Sequence, residues 1–304
     1  MDQEAQRQRY RSALESFLTK ARQDPYIVGV VLSGSLSYDT VWERSDIDLM
    51  VITQDVKIRV KSHTLVEDQI NIHAGIMTRS EFKRMIGGAL GGSFLHSYLA
   101  HGTLVYSCDT TLDEIFAERC HLGIRDQQIG LMRAATNLIG SLDKAQKWLV
   151  TKNDADYSLI WTLRCLDAFA TLVLIRAGEI PNREAILHAA RLQPDRIDPL
   201  YHDLIHGPKD AAAITRAITA MESYLTDGAQ EICAPLFEFL TEAQTVQSST
   251  AVEEHFEHNF GLSAVSALCE WLADRGLLHK VASPVRVTEK SKVAFDEAAF
   301  YYSP

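Results

Sequence analysis

Cysteine is scarce in this 304-residue chain, and its five copies, Cys108, Cys120, Cys165, Cys233 and Cys269, are odd in number and show no CxxC spacing. That pattern argues against a structural zinc site and a disulfide scaffold, and for the reduced thiols of a cytoplasmic protein. Long apolar runs are lacking too. The densest stretch, 159–175, is broken by Arg164 and Asp167 and falls short of the ~20 residues that a membrane span needs. The N-terminal residues Asp2, Gln3, Glu4, Arg7 and Arg9 are polar, without the apolar core of a signal peptide. Positive charge is in deficit, with 30 Lys and Arg against 40 Asp and Glu and a net charge of -10. Phosphate backbones demand a basic footprint, so a whole-surface nucleic-acid binder is disfavoured. Cationic small molecules, proteins, or a nucleotide held locally through metal ions remain compatible. The chain has no internal repeat and no low-complexity tract.

The remaining composition, 46% hydrophobic and 23% charged, is that of a globular protein long enough for two or three cores. Helical spacing of Tyr10, Leu14, Phe17, Leu18 and Ala21 predicts a first helix over 4–22, stopped by Asp24-Pro25. Apolar, β-branched runs predict strands over 27–32, 47–52 and 70–77, with a short edge strand at 104–106. Thr78-Arg79-Ser80-Glu81 reads as a capping box opening a helix. From about residue 113 the pattern changes to long amphipathic helices over 124–150, 156–177, 209–225 and 229–243, as in an antiparallel bundle. A polar linker is expected at 245–250. Helices over 251–258 and 263–275, a β-wing over 277–288 holding Pro284, and a last helix from near Glu289 would make a winged-helix-like tail. The expected domains are 1–112, 113–245 and 246–304.

The chemistry is concentrated in the first of these. A predicted strand ends in Ser33-Gly34-Ser35, and ten residues later comes Ser45-Asp46-Ile47-Asp48-Leu49. Two apart on a strand, Asp46 and Asp48 project from one face. Adjacent carboxylates in a mostly apolar strand repel one another unless a cation lies between them. Magnesium, hard and oxygen-seeking, is usually shared between one or two carboxylates and substrate phosphates. Gly34 lets a ligand approach the backbone. Ser35 offers a hydroxyl and an amide where a helix is expected to begin, and Ser45 flanks the pair; amides at a helix start cradle phosphate oxygens. Strand, phosphate-binding turn and metal-bearing strand together suit in-line attack on a nucleoside triphosphate.

The Gly34-Ser35 pair followed by Asp46 and Asp48 closely resembles the nucleotidyltransferase superfamily that includes DNA polymerase β, the aminoglycoside nucleotidyltransferases and the MNT-type antitoxins. The resemblance covers residues 25–112. The later helices are similar in layout to the helical domains of aminoglycoside nucleotidyltransferases and HEPN proteins. It implies a small mixed-sheet nucleotidyltransferase domain with flanking helices, which with the helical bundle and winged-helix-like tail read above makes an α+β chain. It also implies two magnesium ions and transfer of a nucleoside monophosphate, most simply AMP from ATP, with release of pyrophosphate. The acceptor would be a hydroxyl of an amino sugar or of a protein.

One departure stands out. The family pattern places a third Asp or Glu on the next strand, where this chain has Asn71 and His73. Asn supplies a neutral oxygen, and His suits magnesium poorly. Glu67 and Asp68 precede that strand and read as a solvated turn. The alternative function is therefore a catalytically impaired nucleotide sensor acting through its tail. Weaker signals point to bland roles. Arg183 with His188, and Arg196 with His202, match a HEPN ribonuclease spacing at about the frequency chance supplies. His255 and His258 with Glu253 and Glu254 read as a solvated helix face. Trp161, Phe169, Phe237 and Phe239 read as core. Arg79, Lys83 and Arg84 either meet the triphosphate or solvate a helix. In the tail, Glu270 and Asp274 outweigh Arg275 on the expected recognition helix, beside Trp271 and Leu272. Lys280, Arg286, Lys290 and Lys292 leave the wing as the only basic surface for nucleic acid.

Overall fold

The computed structural model describes residues 3–38, 41–87, 101–117 and 123–303. The chain is α+β and divides into two compact units at about residue 122. Cys120 lies outside the described residues.

The first unit is a five-stranded mixed sheet in the order β3-β4-β2-β1-β5. Its strands are β1 (Ile27–Ser33), β2 (Ile47–Thr53), β3 (Ser62–Glu67), β4 (Ile70–Thr78) and β5 (Thr103–Ser107). β1 runs antiparallel to β2 and β5, β2 parallel to β4, and β3 antiparallel to β4. Helix α1 (Gln3–Ala21) covers one face, where Tyr10, Leu14, Phe17 and Leu18 meet Ile47, Leu49, Val51, Ile70 and Ile72. The opposite face carries α2 (Arg79–Gly87) and α3 (Thr110–Ala117), with Phe82, Leu112 and Phe116 packed on Val28, Val31 and Ile52. Strand alternation explains the split: odd residues of β2 face α1 and even ones face away.

The capping box forms as expected. Thr78 N donates to the Glu81 carboxylate at 2.9 Å, and Glu81 N donates back to the Thr78 hydroxyl at 3.2 Å. β3 is an addition to the sequence reading. It closes onto β4 through Asp68 and Gln69, both at positive φ (50° and 63°), the geometry of a two-residue hairpin turn. Glu67 is tied to Lys20 at 2.6 Å and Asp68 lies 3.4 Å from the Ser16 hydroxyl, so both acids are held by α1.

The second unit is built on the antiparallel pair α4 (Ile124–Lys152) and α5 (Ala155–Arg176), turned through Asn153 in the left-handed region and capped by Asp154, which accepts from Tyr157 N. The fully buried Ser158 donates to Ala145 O at 2.8 Å where the pair packs. By length and composition α5 is apolar enough to cross a membrane; here its residues from Phe169 to Ile175 are largely in the core. Helices α6 (Ala185–Leu192), α7 (Pro194–His206), α8 (Ala211–Asp227), α9 (Ala229–Ile232) and α10 (Ala234–Ala243) follow. The single helix expected over 229–243 breaks at Cys233, ahead of Pro235, which lacks the N–H an interior helical position needs.

The expected linker is structured: β6 (Gln247–Ser248) leads directly into α11 (Ser249–Phe260), which Ser248 caps. After α12 (Val265–Asp274) come β7 (His279–Val285) and β8 (Phe295–Tyr301), in a three-stranded sheet ordered β6-β8-β7. The helix expected from Glu289 is instead β8. Its inward residues Ala299 and Phe300 complete the core, and a strand pairs with β7 where a helix would leave that edge open. One apolar cluster runs from Leu131 to Phe300, across the boundary expected at 245/246. Phe169 and Phe237 are buried in it, with Trp161 and Phe239 packed against its edge. Burial pushes the thiols of Cys165 and Cys233 up to about 12 and that of Cys269 up further.

Candidate active site

The two faces of the sheet fix where the chemistry collects. Ile47, Leu49, Ile70, Ile72 and Ala74 point into the α1 core. Their strand neighbours Asp46, Asp48, Asn71 and His73 therefore emerge on the opposite face. The parallel register pairs Asp48 with His73 and Ile47 with Ile72. His73 Nε2 lies 3.7 Å from Asp46 Oδ2, and its Nδ1 lies 3.8 Å from Asp48 Oδ1. These side chains are half to one-third exposed, so the carboxylates open outward. Of the two third-ligand positions, His73 is the one that confronts both carboxylates; Asn71 is exposed on the same face.

Gly34 closes the site from β1. Its φ is +71°, a left-handed conformation that disfavours any Cβ. A Cβ placed there would also stand 3.1 Å from Asp48 Cγ and nearer still to Oδ2. The backbone thus runs as close to the carboxylate as it can. Ser33 pairs with Asp48 across the strands. The helix expected to begin at Ser35 is a four-residue 3-10 turn, Ser35–Tyr38, in which Ser37 N and Oγ both donate to Gly34 O, at 3.1 and 2.7 Å.

On the other side, Tyr10 of α1 organises the approach to Asp46. Its hydroxyl lies 2.7 Å from Ser45 O and 3.1 Å from Trp42 O. Burial raises the Tyr10 pKa above the ordinary phenol value, with Arg9 opposing the rise and the Asp46 carboxylate adding to it. Ser45 turns its hydroxyl back to accept from Trp42 N at 3.0 Å. Ser45 therefore shapes the loop. Tyr10 was read in the sequence only as a core residue; its hydroxyl, a polar tip on an apolar helix face, was the signal for a second role.

Arg79 is committed elsewhere. It binds Asp109 at 2.5 Å and contacts the Thr111 hydroxyl, six residues past His73 along β4, or about 20 Å at ~3.3 Å per residue. The bonds from Thr111 and then Arg79 hold the Asp109 carboxyl below its usual range. The lesser motifs are also engaged locally. Arg196 lies over the Tyr224 ring, at 4.5 Å, and His202 faces Asp198, at 3.9 Å. His188 faces Glu179 at 3.8 Å. His255 stacks on Phe239 with centroids 4.1 Å apart, and burial lowers its pKa.

The donor set fits magnesium in one particular way. Among the described residues no group of three or more His, Cys, Asp or Glu is drawn together as a dedicated cage. Two carboxylates on one strand face, half-open to solvent, match an ion that completes its coordination with water and substrate phosphate oxygens. His73 is a poor donor to such an ion.

The sequence matches no protein-family model and no curated protein. Among solved structures, the chain is similar to a nucleotidyltransferase-like protein from Exiguobacterium sibiricum 255-15, with a TM-score of 0.62 at 15% identity, over 96% of this chain and 98% of that one. At that identity the likeness concerns the fold: over nearly its whole length, this chain shares the fold of a nucleotidyltransferase-like protein.

Proposed function

We propose that the chain is a nucleotidyltransferase that moves a nucleoside monophosphate, most simply AMP from ATP, to a hydroxyl of an amino sugar or a protein. The observation that carries this reading is the meeting of Asp46 and Asp48, both partly exposed, beside Gly34 on one face of the sheet. Magnesium, when bound, neutralises phosphate charge and clamps the leaving pyrophosphate. Asp46 and Asp48 would hold it, and Gly34, with no Cβ, would let a phosphate approach the backbone. Tyr10 and Ser45 fix the loop from which Asp46 emerges. The acidic surface suits a cationic acceptor. Incubation with α-labelled ATP, magnesium and a panel of amino sugars and lysate proteins tests the proposal. Label on an acceptor supports it; nucleotide binding with no label on any acceptor would favour a nucleotide sensor instead.

His73 separates those two readings. A metal that activates the acceptor hydroxyl needs a third anionic ligand, and an imidazole stands in its place. His73→Asp is expected to raise transfer, most at low magnesium, while changing nucleotide affinity by less than about tenfold, ~1.4 kcal/mol. Initial rates across a magnesium titration, with calorimetry for affinity, measure both. A wild type already fast at low magnesium and unimproved by the change would show that the imidazole does not limit the reaction.

For the tail, a packing or partner-contact role is favoured over reading nucleic acid. The tail's order β6-α11-α12-β7-β8, preceded by α10 and with β8 central in the sheet, is consistent with a winged helix. However, α12, the would-be recognition helix, buries Val265, Leu268, Trp271 and Leu272. Its Glu270 binds Lys280 at 2.6 Å, and Arg275 binds Glu222 at 3.0 Å. Cations already matched by carboxylates are poorly available to phosphates.

A further inference from the structure

We infer that the turn 42–45 is a base-stacking element, on which the Trp42 indole carries the nucleobase of the nucleotide whose phosphates lie at Asp46 and Asp48. This rests on the nucleotidyl-transfer reading and assigns that site a residue for the part of the substrate that the carboxylates do not touch.

Trp42 is 57% exposed, although an indole is among the costliest side chains to leave in water. A single exposed apolar residue is ordinary on a protein surface. What is unusual is how firmly the backbone beneath this one is held. Val41 is buried in the α1 core. Ser45 N donates to Trp42 O at 3.0 Å, closing the turn. Trp42 N donates to Ser45 Oγ at 3.0 Å, and the Tyr10 hydroxyl reaches both Trp42 O and Ser45 O. Those contacts draw Trp42 toward Ser45, the residue immediately before Asp46. The indole itself contributes little to the core, and the ties hold the backbone from which it projects, in the turn that leads directly into Asp46. A platform held rigid before binding saves the ligand the entropy of ordering it.

The turn also supplies charge. The Arg44 guanidinium carbon lies 5.8 Å from the indole centroid. A cation over one face of the indole, in the turn that leads into Asp46 and Asp48, matches a ligand that stacks a planar base on the other face and carries phosphates at its far end. A base has no carboxylate to be repelled by Asp46 and needs no hydrogen-bond code from the platform. Stacking of this kind tolerates any base, so Trp42 would add affinity for nucleotides as a class.

The test uses the full chain, magnesium, and two probes: a non-hydrolysable ATP analogue, and inorganic tripolyphosphate, which has the phosphates without the base. Trp42→Ala should weaken analogue binding by about tenfold or more, as expected for one lost base–aromatic stack, and change tripolyphosphate binding by less than about twofold. Trp42→Phe should retain most of the affinity. The analogue should also quench indole fluorescence in the wild type, and that change should vanish in Trp42→Phe, where Trp148, Trp161 and Trp271 remain. Unaltered analogue affinity in Trp42→Ala, or equal losses for both probes, would overturn the stacking role while leaving the phosphate site standing. A wild type that binds neither probe would sink the nucleotide reading itself, and the stacking role with it.

Discussion

Asp46→Asn and Asp48→Asn are each expected to reduce nucleotidyl transfer by about a thousandfold or more, and to leave the protein as stable as before or slightly more so. The two effects separate because the fold of this strand rests on backbone pairing and apolar burial. The pairing of Asp48 with Ser33 and the burial of Ile47 and Leu49 do not depend on the charge. Like charges side by side on a strand face repel, and neutralising one relieves on the order of 0.2–1 kcal/mol. The loss of activity is larger than the 10–100-fold typical of residues that merely support a metal ligand, because here a ligand itself is removed. Rates with labelled ATP and thermal melts without nucleotide measure the pair. A melting temperature that falls sharply with the rate would mean that the variants had damaged the sheet. A rate that survives either substitution would move the metal away from this strand.

Gly34→Ala should have the second-largest effect, through geometry alone. The added methyl meets the Asp48 carboxyl on a backbone already at φ +71°, so it both strains the turn and pushes the ligand aside. The left-handed conformation costs an L-residue about 1–2 kcal/mol. Displacing a reacting group by about 1 Å costs on the order of a hundredfold in rate. Transfer should therefore drop by about that factor, with a loss of ~1–2 kcal/mol in unfolding free energy. The comparison is Gly140→Ala, an exposed position in α4 with nothing within 4 Å of an added Cβ. There the same change should stabilise by ~0.5–1 kcal/mol and leave transfer untouched, since alanine holds a helix better than glycine. If the two substitutions behave alike, the close approach of Gly34 to Asp48 has no functional weight.

How much of this was legible beforehand depends on whether the signal was local. Asp46 and Asp48 were readable because alternation on a strand is a two-residue rule, and Gly34 because only glycine favours the conformation it adopts. The capping box at Thr78 and Glu81 was equally local. β3 was not readable: its residues 62–66 are all exposed and only the last, Glu67, is largely covered, so burial imposes no alternation, and its turn uses Asp68-Gln69 where Asn-Gly would have announced it. β8 was missed for another reason. Phe295, Ala298, Ala299 and Phe300 read as well at helical spacing as at strand spacing, and only pairing with β7 and β6, set by distant sequence, decides between them. The meeting of His73 with both carboxylates needed the parallel register of β2 and β4, which no spacing within either strand encodes.

That alternation along β2 also acts as a proofreading device. Because Asp46 and Asp48 lie on the opposite side of one short stretch from the apolar residues Ile47, Leu49 and Val51, a slip of a single residue against β1 or β4 would exchange them. Both carboxylates would then be driven beneath α1 with no counter-ion, and aliphatic side chains would be turned to the part-exposed face that Asp46 and Asp48 now occupy. A chain assembled in the wrong register would be too unstable to persist. The quality control of folding and the placing of the proposed catalytic pair are thus one check, written into one short stretch of chain from Asp46 to Val51.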